Sequence, residues 1–272
     1  MSPEVIVPRY ERMFAGRRAG GVLVPFLMLG DPTPERCLAL ADVLVAAGAD
    51  ALELGIPFSD PTADGPVIQR AAARALVAGA TPPRCLQLVT EIRRRHPDMP
   101  IGLLVYANTV VRHGLAGFYA AAAAAGADSV LVADVPVAES APFLAASRAA
   151  GIHPICVVPP NPTAAVIRHA AACSGYTYLQ GRPGVTGAAT PMAPPDRATL
   201  DALRTAGAPP ALIGFGVSRR EHVQAALDAG AAGVIIGSAL VSLIEGSDST
   251  PDQLDASMRR LMQNLTDTLV PA

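Results

Sequence analysis

The stretch Ala125–Ala133, with the sequence AGADSVLVA, carries the pattern that decides the fold. Its Ala-Gly pair is typical of a helix end, because glycine readily adopts the left-handed conformation that terminates a helix. The apolar run that follows is short and almost uninterrupted, which is typical of a parallel strand covered on both faces. The stretch therefore predicts the joint between a helix and the next strand of a βα unit.

The same joint recurs along the chain. Ala-Gly precedes an apolar run at five glycines, which are Gly48, Gly126, Gly151, Gly207 and Gly230. Eight apolar runs are predicted as strands: Val22–Leu27, Ala51–Leu54, Ile101–Val105, Ser129–Ala133, Ile152–Val157, Tyr176–Leu179, Ala211–Ile213 and Gly233–Ile236. Amphipathic helical patterns lie between these runs. Eight strands that alternate with helices over 272 residues predict one closed (β/α)8 TIM barrel, spanning residues 1–272 as a single domain with extra helices. An open doubly wound sheet is the alternative, although it usually has fewer strands.

Composition excludes several functional classes. The chain is 51% hydrophobic and 16% charged, which indicates a globular protein with a substantial core. A net charge of −2 and an aromatic content of 4% argue against nucleic-acid binding. All 21 basic residues counted as Lys+Arg are arginine. Without lysine, the chain cannot form a Schiff base with a carbonyl substrate or with pyridoxal phosphate.

Cysteine and histidine spacing indicates neither a disulfide framework nor a metal site. The four cysteines are far apart in sequence, no CxxC pair occurs, and the five histidines lack a metal-ligand spacing. The first residues show no signal-peptide pattern, and the most apolar stretch, residues 229–244, is too short and too rich in glycine for a membrane span. We therefore expect a cytoplasmic protein with reduced, mostly buried thiols, no metal and no cofactor.

Glycine-rich turns after the last strands predict a phosphate site. Residues 214–218 follow the seventh strand, and Gly237-Ser238 follows the eighth strand and begins a helical pattern. Barrel enzymes commonly bind phosphate with these two loops and a helix N-terminus. The glycines of residues 184–187, after the sixth strand, could add backbone donors. Ordinary βα turns are the competing interpretation of each glycine group.

Candidate catalytic groups lie in the second predicted strand and in the loops that follow the strands. Glu53 lies inside an apolar strand, where burial raises the pKa of a carboxyl group. Asp60 and Asp64 follow in a loop with three prolines, and either could face Glu53 or only form a turn. Asp134 is a weaker candidate, for which helix capping is the expected role. The pattern predicts acid–base chemistry by carboxylates on a small phosphorylated molecule.

Two long segments of the chain are distinctive, PFLMLGDP at residues 25–32 and ALELGIPFSDPTADGP at residues 51–66. Both resemble segments of the tryptophan synthase alpha chain family. Shorter matches follow in order over nearly the whole chain, at residues 106–108, 133–136, 159–161, 176–179, 184–187, 214–216 and 237–238.

The resemblance implies retro-aldol cleavage of indole-3-glycerol phosphate to indole and glyceraldehyde 3-phosphate. It implies that Glu53 is the general acid and base and that Asp64 faces the indole N–H. The substrate-binding residues that it implies are Phe26, Tyr106, Tyr178, Thr186, Gly187, Gly216, Gly237 and Ser238. Tyr106 and Tyr178 could equally be packing residues with bonded hydroxyl groups.

The resemblance also implies a partner, a beta chain that uses pyridoxal phosphate, in an α2β2 tetramer. The expected interface lies near Pro57, Asn108 and the loop that carries Asp60 and Asp64. Departures from the family pattern occur at Met28, Thr62, Gly181 and Pro183, all in or beside site loops. Three functions therefore stay open: an alpha subunit activated by a beta chain, a stand-alone lyase that releases free indole, and a non-catalytic regulatory barrel.

Overall fold

Eight parallel strands form a closed barrel in the computed structural model, which describes residues 8–16, 20–181, 196–214, 216–245 and 250–269. The strands are β1 Val22–Met28, β2 Leu52–Gly55, β3 Ile101–Val105, β4 Ser129–Val132, β5 His153–Val158, β6 Thr177–Gln180, β7 Ala211–Gly214 and β8 Gly233–Ile236. Each strand pairs with the next one in the chain, and β1 closes the barrel by pairing with β8. The predicted TIM-barrel class is therefore confirmed, with strand bounds that differ from the predicted ones by about one residue.

Helices surround the barrel. They are α1 Arg9–Ala15, α2 Pro34–Ala46, α3 Pro66–Val77, α4 Pro82–Arg95, α5 Ala107–Arg112, α6 Leu115–Ala125, α7 Ala141–Ala149, α8 Ala164–Ala171, α9 Arg197–Thr205, α10 Arg220–Ala229, α11 Ser238–Glu245 and α12 Pro251–Thr266. Short 3₁₀ turns occur at Val137–Glu139 and Asp267–Leu269. No helix in the described ranges is both long and apolar enough to cross a membrane.

The predicted helix-to-strand joints adopt the expected backbone conformation. All five Ala-Gly glycines have positive φ, from 70° at Gly151 to 103° at Gly230. Gly126 and Gly230 directly end α6 and α10 in the left-handed conformation. A side chain is strained in this region, which explains why the same residue recurs at equivalent joints.

Helix α1 closes the N-terminal end of the barrel. Its Tyr10 is buried among side chains of the barrel interior and hydrogen-bonds Ser129 on β4, with 2.8 Å between the hydroxyl oxygens. Gly102 leaves room for this contact, because a Cβ there would lie 2.8 Å from Ser129 Oγ. Arg9 on α1 donates to Asp128 at 2.7 Å. With one end occupied, the interior is open to ligands at the C-terminal ends of the strands.

Candidate active site

A cavity at the C-terminal ends of the strands contains most of the predicted site. Seven predicted residues line it: Phe26, Glu53, Asp64, Tyr178, Gly216, Gly237 and Ser238. Apolar side chains such as Leu104, Leu131 and Ile235 form much of the remaining wall. The cavity therefore combines a mostly apolar lining with a few polar groups, which is typical of a small-molecule site.

Glu53 lies on β2 and is 2% exposed. Burial raises the pKa of its carboxyl group to about 7, and the nearby charge of Asp64 adds to the rise. The Tyr176 hydroxyl donates to Glu53 Oε1 at 2.6 Å, which favours the ionised form and opposes the rise. Glu53 can therefore exchange a proton near neutral pH, as a group that acts as both acid and base must.

The structure distinguishes between the two aspartates of the β2–α3 loop. Asp64 is buried in the cavity wall, whereas Asp60 is exposed and accepts a hydrogen bond from Ser59 Oγ at 2.5 Å. Burial raises the pKa of Asp64 to about 6, against the effect of a hydrogen bond from the Tyr106 hydroxyl at 2.9 Å. Of the pair left open by the sequence, Asp64 is the carboxylate that shares a cavity with Glu53.

Glycines make room for the aromatic lining. Phe26 lies beside Glu53 in the β1–β2 register, and a Cβ at Gly55 would lie 2.7 Å from its ring. A Cβ at Gly214 would lie 2.1 Å from the Tyr178 hydroxyl oxygen. A flat apolar molecule fits such a lining, since aromatic side chains favour stacked or edge-on contacts with another ring.

The part of the cavity at the start of α11 has the features of an anion site. Gly216 has a φ of 83°, a conformation that favours glycine in the turn after β7. Gly237 and Ser238 line the cavity where α11 begins. A Cβ at Gly237 would meet only ordinary contacts, 3.6 Å and more away, so packing does not demand a glycine there. The first N–H groups of a helix lack intrahelical acceptors and favour an anion.

The remaining predicted residues lie elsewhere or outside the described ranges. Tyr106 is buried behind the cavity wall, where its hydroxyl bonds Asp64 and accepts from the Ala63 N–H at 3.1 Å. Asp134 accepts from the Ala107 N–H at the start of α5 at 2.7 Å, which is the capping role that we expected. Thr186 and Gly187 lie outside the described residues, as does Pro183.

Sequence reasoning gave no role to Tyr176, although it precedes Tyr178 by two residues. Alternation along a strand puts both side chains on one face, and both pack in the barrel interior. The two-residue spacing of Tyr176 and Tyr178 could therefore have indicated from sequence that Tyr176 lies near the site. The partner, Glu53, is 123 residues away along the chain.

Replacing Tyr176 with Phe is expected to raise the pKa of Glu53 above about 7, because it removes a hydrogen bond that favours the carboxylate. The titration of Glu53 can be followed by NMR on protein labelled with ¹³C at glutamate carboxyl groups. Tyr119→Phe is the matched control, since Tyr119 is buried outside the barrel interior. An unchanged or lowered pKa in Tyr176→Phe would contradict the assignment.

Comparison with known proteins identifies the family of this chain. The family model described as "Tryptophan synthase alpha chain" matches residues 14–270. The tryptophan synthase alpha chain of Edwardsiella ictaluri is 52% identical over 260 residues, which cover 94% of this chain and 97% of the relative. The tryptophan synthase alpha chain of Shewanella amazonensis is 53% identical over 250 residues, which cover 90% of this chain and 94% of the relative.

Solved structures agree with this result. A Mycobacterium tuberculosis tryptophan synthase chain superposes with a TM-score of 0.84 at 29% identity and covers 98% of both chains. A chain from the Pyrococcus furiosus tryptophan synthase α2β2 complex gives a TM-score of 0.79 at 33% identity, covering 92% of this chain and 99% of its own length. Because the family model matches almost the whole of this chain, the chain belongs to the tryptophan synthase alpha chain family.

Proposed function

We propose that Glu53 and Asp64 carry out the reaction of this family, the retro-aldol cleavage of indole-3-glycerol phosphate to indole and glyceraldehyde 3-phosphate. One observation carries the proposal. A single cavity joins two buried carboxyl groups, an aromatic lining and the N-terminus of α11. These three parts match the reactive bond, the indole ring and the phosphate of one substrate.

Glu53 is the general acid and base. Indole is a poor leaving group as a carbanion, but protonation at C3 gives an indolenine, which leaves readily. The carboxyl group of Glu53 can deliver this proton and accept the proton of the substrate hydroxyl. A pKa of about 7 makes both forms available near neutral pH. Each such transfer contributes roughly 10²–10⁴-fold to the rate.

Asp64 stabilises the positive charge that develops on the indole nitrogen as C3 is protonated. An anion held beside a developing cation lowers the barrier, and it acts most strongly where water is excluded. The hydrogen bond from Tyr106 fixes the position of the Asp64 carboxylate. Tyr106 is therefore a positioning residue in this proposal and not a substrate contact.

The phosphate is bound away from the bond that breaks. Gly216, Gly237 and Ser238 surround the N-terminal end of α11, where backbone N–H groups and the helix dipole favour the anion. Phe26 and Tyr178 contact the indole ring. Binding both ends of the substrate holds the reacting carbon against Glu53, and such positioning lowers the entropic cost of reaction.

We further propose that a tryptophan synthase beta chain binds next to the active site and receives the indole. Asn108 and Val111 are exposed on α5, and Val111 is an exposed apolar residue at 57%. The adjoining Phe58 stacks on Tyr106, with 5.3 Å between the ring centroids. Because Tyr106 also bonds Asp64, this surface connects directly to a proposed catalytic group. The Pyrococcus furiosus complex is described as mutually activated, which is the behaviour proposed here.

The test is indole release from indole-3-glycerol phosphate by the purified chain, alone and with the beta chain encoded by the same genome. We expect a low rate that rises strongly when the beta chain is added. Val111→Glu is expected to weaken this stimulation but leave the rate of the isolated chain unchanged. Val77→Glu is the matched control, because Val77 is 91% exposed at the far end of α3.

The other outcomes separate the alternative functions. A rate that is high alone and indifferent to the beta chain would instead indicate a stand-alone lyase. Substrate binding without turnover, even with the beta chain present, would contradict the catalytic proposal.

A further inference from the structure

A second cluster of reactive side chains lies outside the catalytic cavity, between β5 and α8. Cys156 is on β5, His169 is on α8, and Cys173 follows the end of that helix. One ligand atom of each residue lies within 4.8 Å of the other two. Histidine spacing along the sequence indicated no metal site, whereas the fold brings His169 close to two thiols. The one indication of this cluster in the sequence was the four-residue spacing of His169 and Cys173, which places two such side chains close together on a helix.

Local geometry explains why the three side chains meet. Successive residues of a strand point to opposite faces, so Cys156 faces the surrounding helices while Val157 lines the catalytic cavity. His169 and Cys173 are separated by about one helical turn, and the distance from His169 Nε2 to Cys173 Sγ is 3.9 Å. Sulfur and nitrogen ligands of a tetrahedral zinc ion lie roughly 3.5 Å apart, given the usual bond lengths. The cluster is therefore close to a metal-binding geometry.

Ser140 orients the imidazole. Its hydroxyl donates to the Val137 carbonyl at 2.7 Å, so the hydroxyl oxygen is left to accept from His169 Nδ1, 3.3 Å away. Nδ1 then carries the proton, and Nε2 presents its lone pair to the sulfur of Cys173. Metal-binding histidines are commonly held in this way, with the second ring nitrogen donating to a fixed oxygen.

The surroundings leave space for a fourth ligand. A cavity of about 200 Å³ adjoins the cluster and is lined by Cys156, His169 and Ser140 among mostly apolar residues. A water molecule can therefore complete a tetrahedral shell. Two thiols and an imidazole favour a soft, thiophilic cation such as zinc, whereas magnesium and calcium prefer oxygen ligands.

We propose that Cys156, His169 and Cys173 bind one zinc ion. The ion links β5 to the end of α8 and stabilises the strand that carries Val157. This site is independent of the proposed lyase reaction, because none of its three ligands lines the catalytic cavity.

The test uses the reduced full-length chain after removal of metals with a chelator. Addition of zinc is expected to give one bound ion per chain in competition with a chromophoric chelator and to raise Tm. Cobalt is expected to give a sulfur-to-metal charge-transfer band and the intense visible bands of tetrahedral coordination. Cys173→Ala and His169→Ala should each weaken zinc binding at least about tenfold. Cys85→Ala, which removes a buried thiol on α4, should leave binding unchanged.

Three results would overturn the proposal. One is the absence of zinc binding by the reduced wild-type chain. Another is binding that is equally strong in Cys173→Ala, which would assign the metal to other residues. The third is a Cys156–Cys173 disulfide that persists under reducing conditions, detected by mass spectrometry after thiol labelling. Circular dichroism of each variant shows whether the fold is retained, and Cys173→Ser provides a second variant if Cys173→Ala fails to fold.

Discussion

Glu53→Gln is expected to lower kcat for indole release by roughly 10³–10⁴-fold, towards the upper end of what general acid–base catalysis contributes. The amide has nearly the same size as the carboxyl group and can still accept the hydrogen bond from Tyr176. It cannot deliver or accept a proton at neutral pH. The variant should therefore keep its substrate affinity and lose turnover, because the same group is proposed to transfer both protons.

Stopped assays of indole release, together with binding of a substrate analogue without the reactive hydroxyl, separate these effects. A kcat within a few-fold of the wild type would contradict the assigned role. A loss that appears only in analogue affinity would indicate that Glu53 positions the substrate and transfers no proton.

The pH dependence of stability provides an internal check on the Glu53 variant. The folded-state pKa of Glu53 is raised to about 7, so the folded chain holds this proton more tightly than the unfolded chain does. The contribution of Glu53 to the free energy of unfolding of the wild type therefore falls as pH rises from about 4.5 to about 7, because the folded chain then has to give up a proton that it holds tightly. Glu53→Gln lacks the titration, and we expect its Tm to fall less than that of the wild type over this window.

Asp64→Asn is expected to lower kcat by roughly 10²–10³-fold, the usual effect of removing one electrostatic contact to a transition state. The amide keeps the size of the side chain but has no charge with which to stabilise a cationic indole. For the wild type, activity should fall as pH decreases through about 6, because Asp64 then becomes protonated. That acidic limb of the kcat profile should be absent from the residual activity of Asp64→Asn.

Asp60→Asn is the matched control for Asp64→Asn. Both aspartates lie in the same loop, but Asp60 is exposed, whereas Asp64 is buried in the cavity wall. We expect Asp60→Asn to retain activity within a few-fold. Equal losses in the two variants would show that the effect comes from the loop as a whole and not from the charge of Asp64.

The sequence by itself determined the barrel and the edge at which the site lies. Apolar runs and left-handed glycines are local patterns, since they depend on neighbouring residues and on backbone conformation. Regular alternation of strand and helix is compatible with few topologies. In a barrel, the C-terminal ends of all parallel strands, including the strand that carries Glu53, surround one opening. The family resemblance added candidate roles for Glu53 and Asp64.

Only the tertiary structure showed that Asp64, and not Asp60, lines the cavity with Glu53. It also placed Tyr106 behind Asp64 and brought Tyr176 to Glu53. It also brought Cys156 to His169 and Cys173. These contacts join residues on different elements, and their geometry depends on how helices and loops pack on the closed barrel. The raised pKa values of Glu53 and Asp64 also depend on the tertiary structure, because burial is the largest cause of both shifts and is a property of the assembled fold.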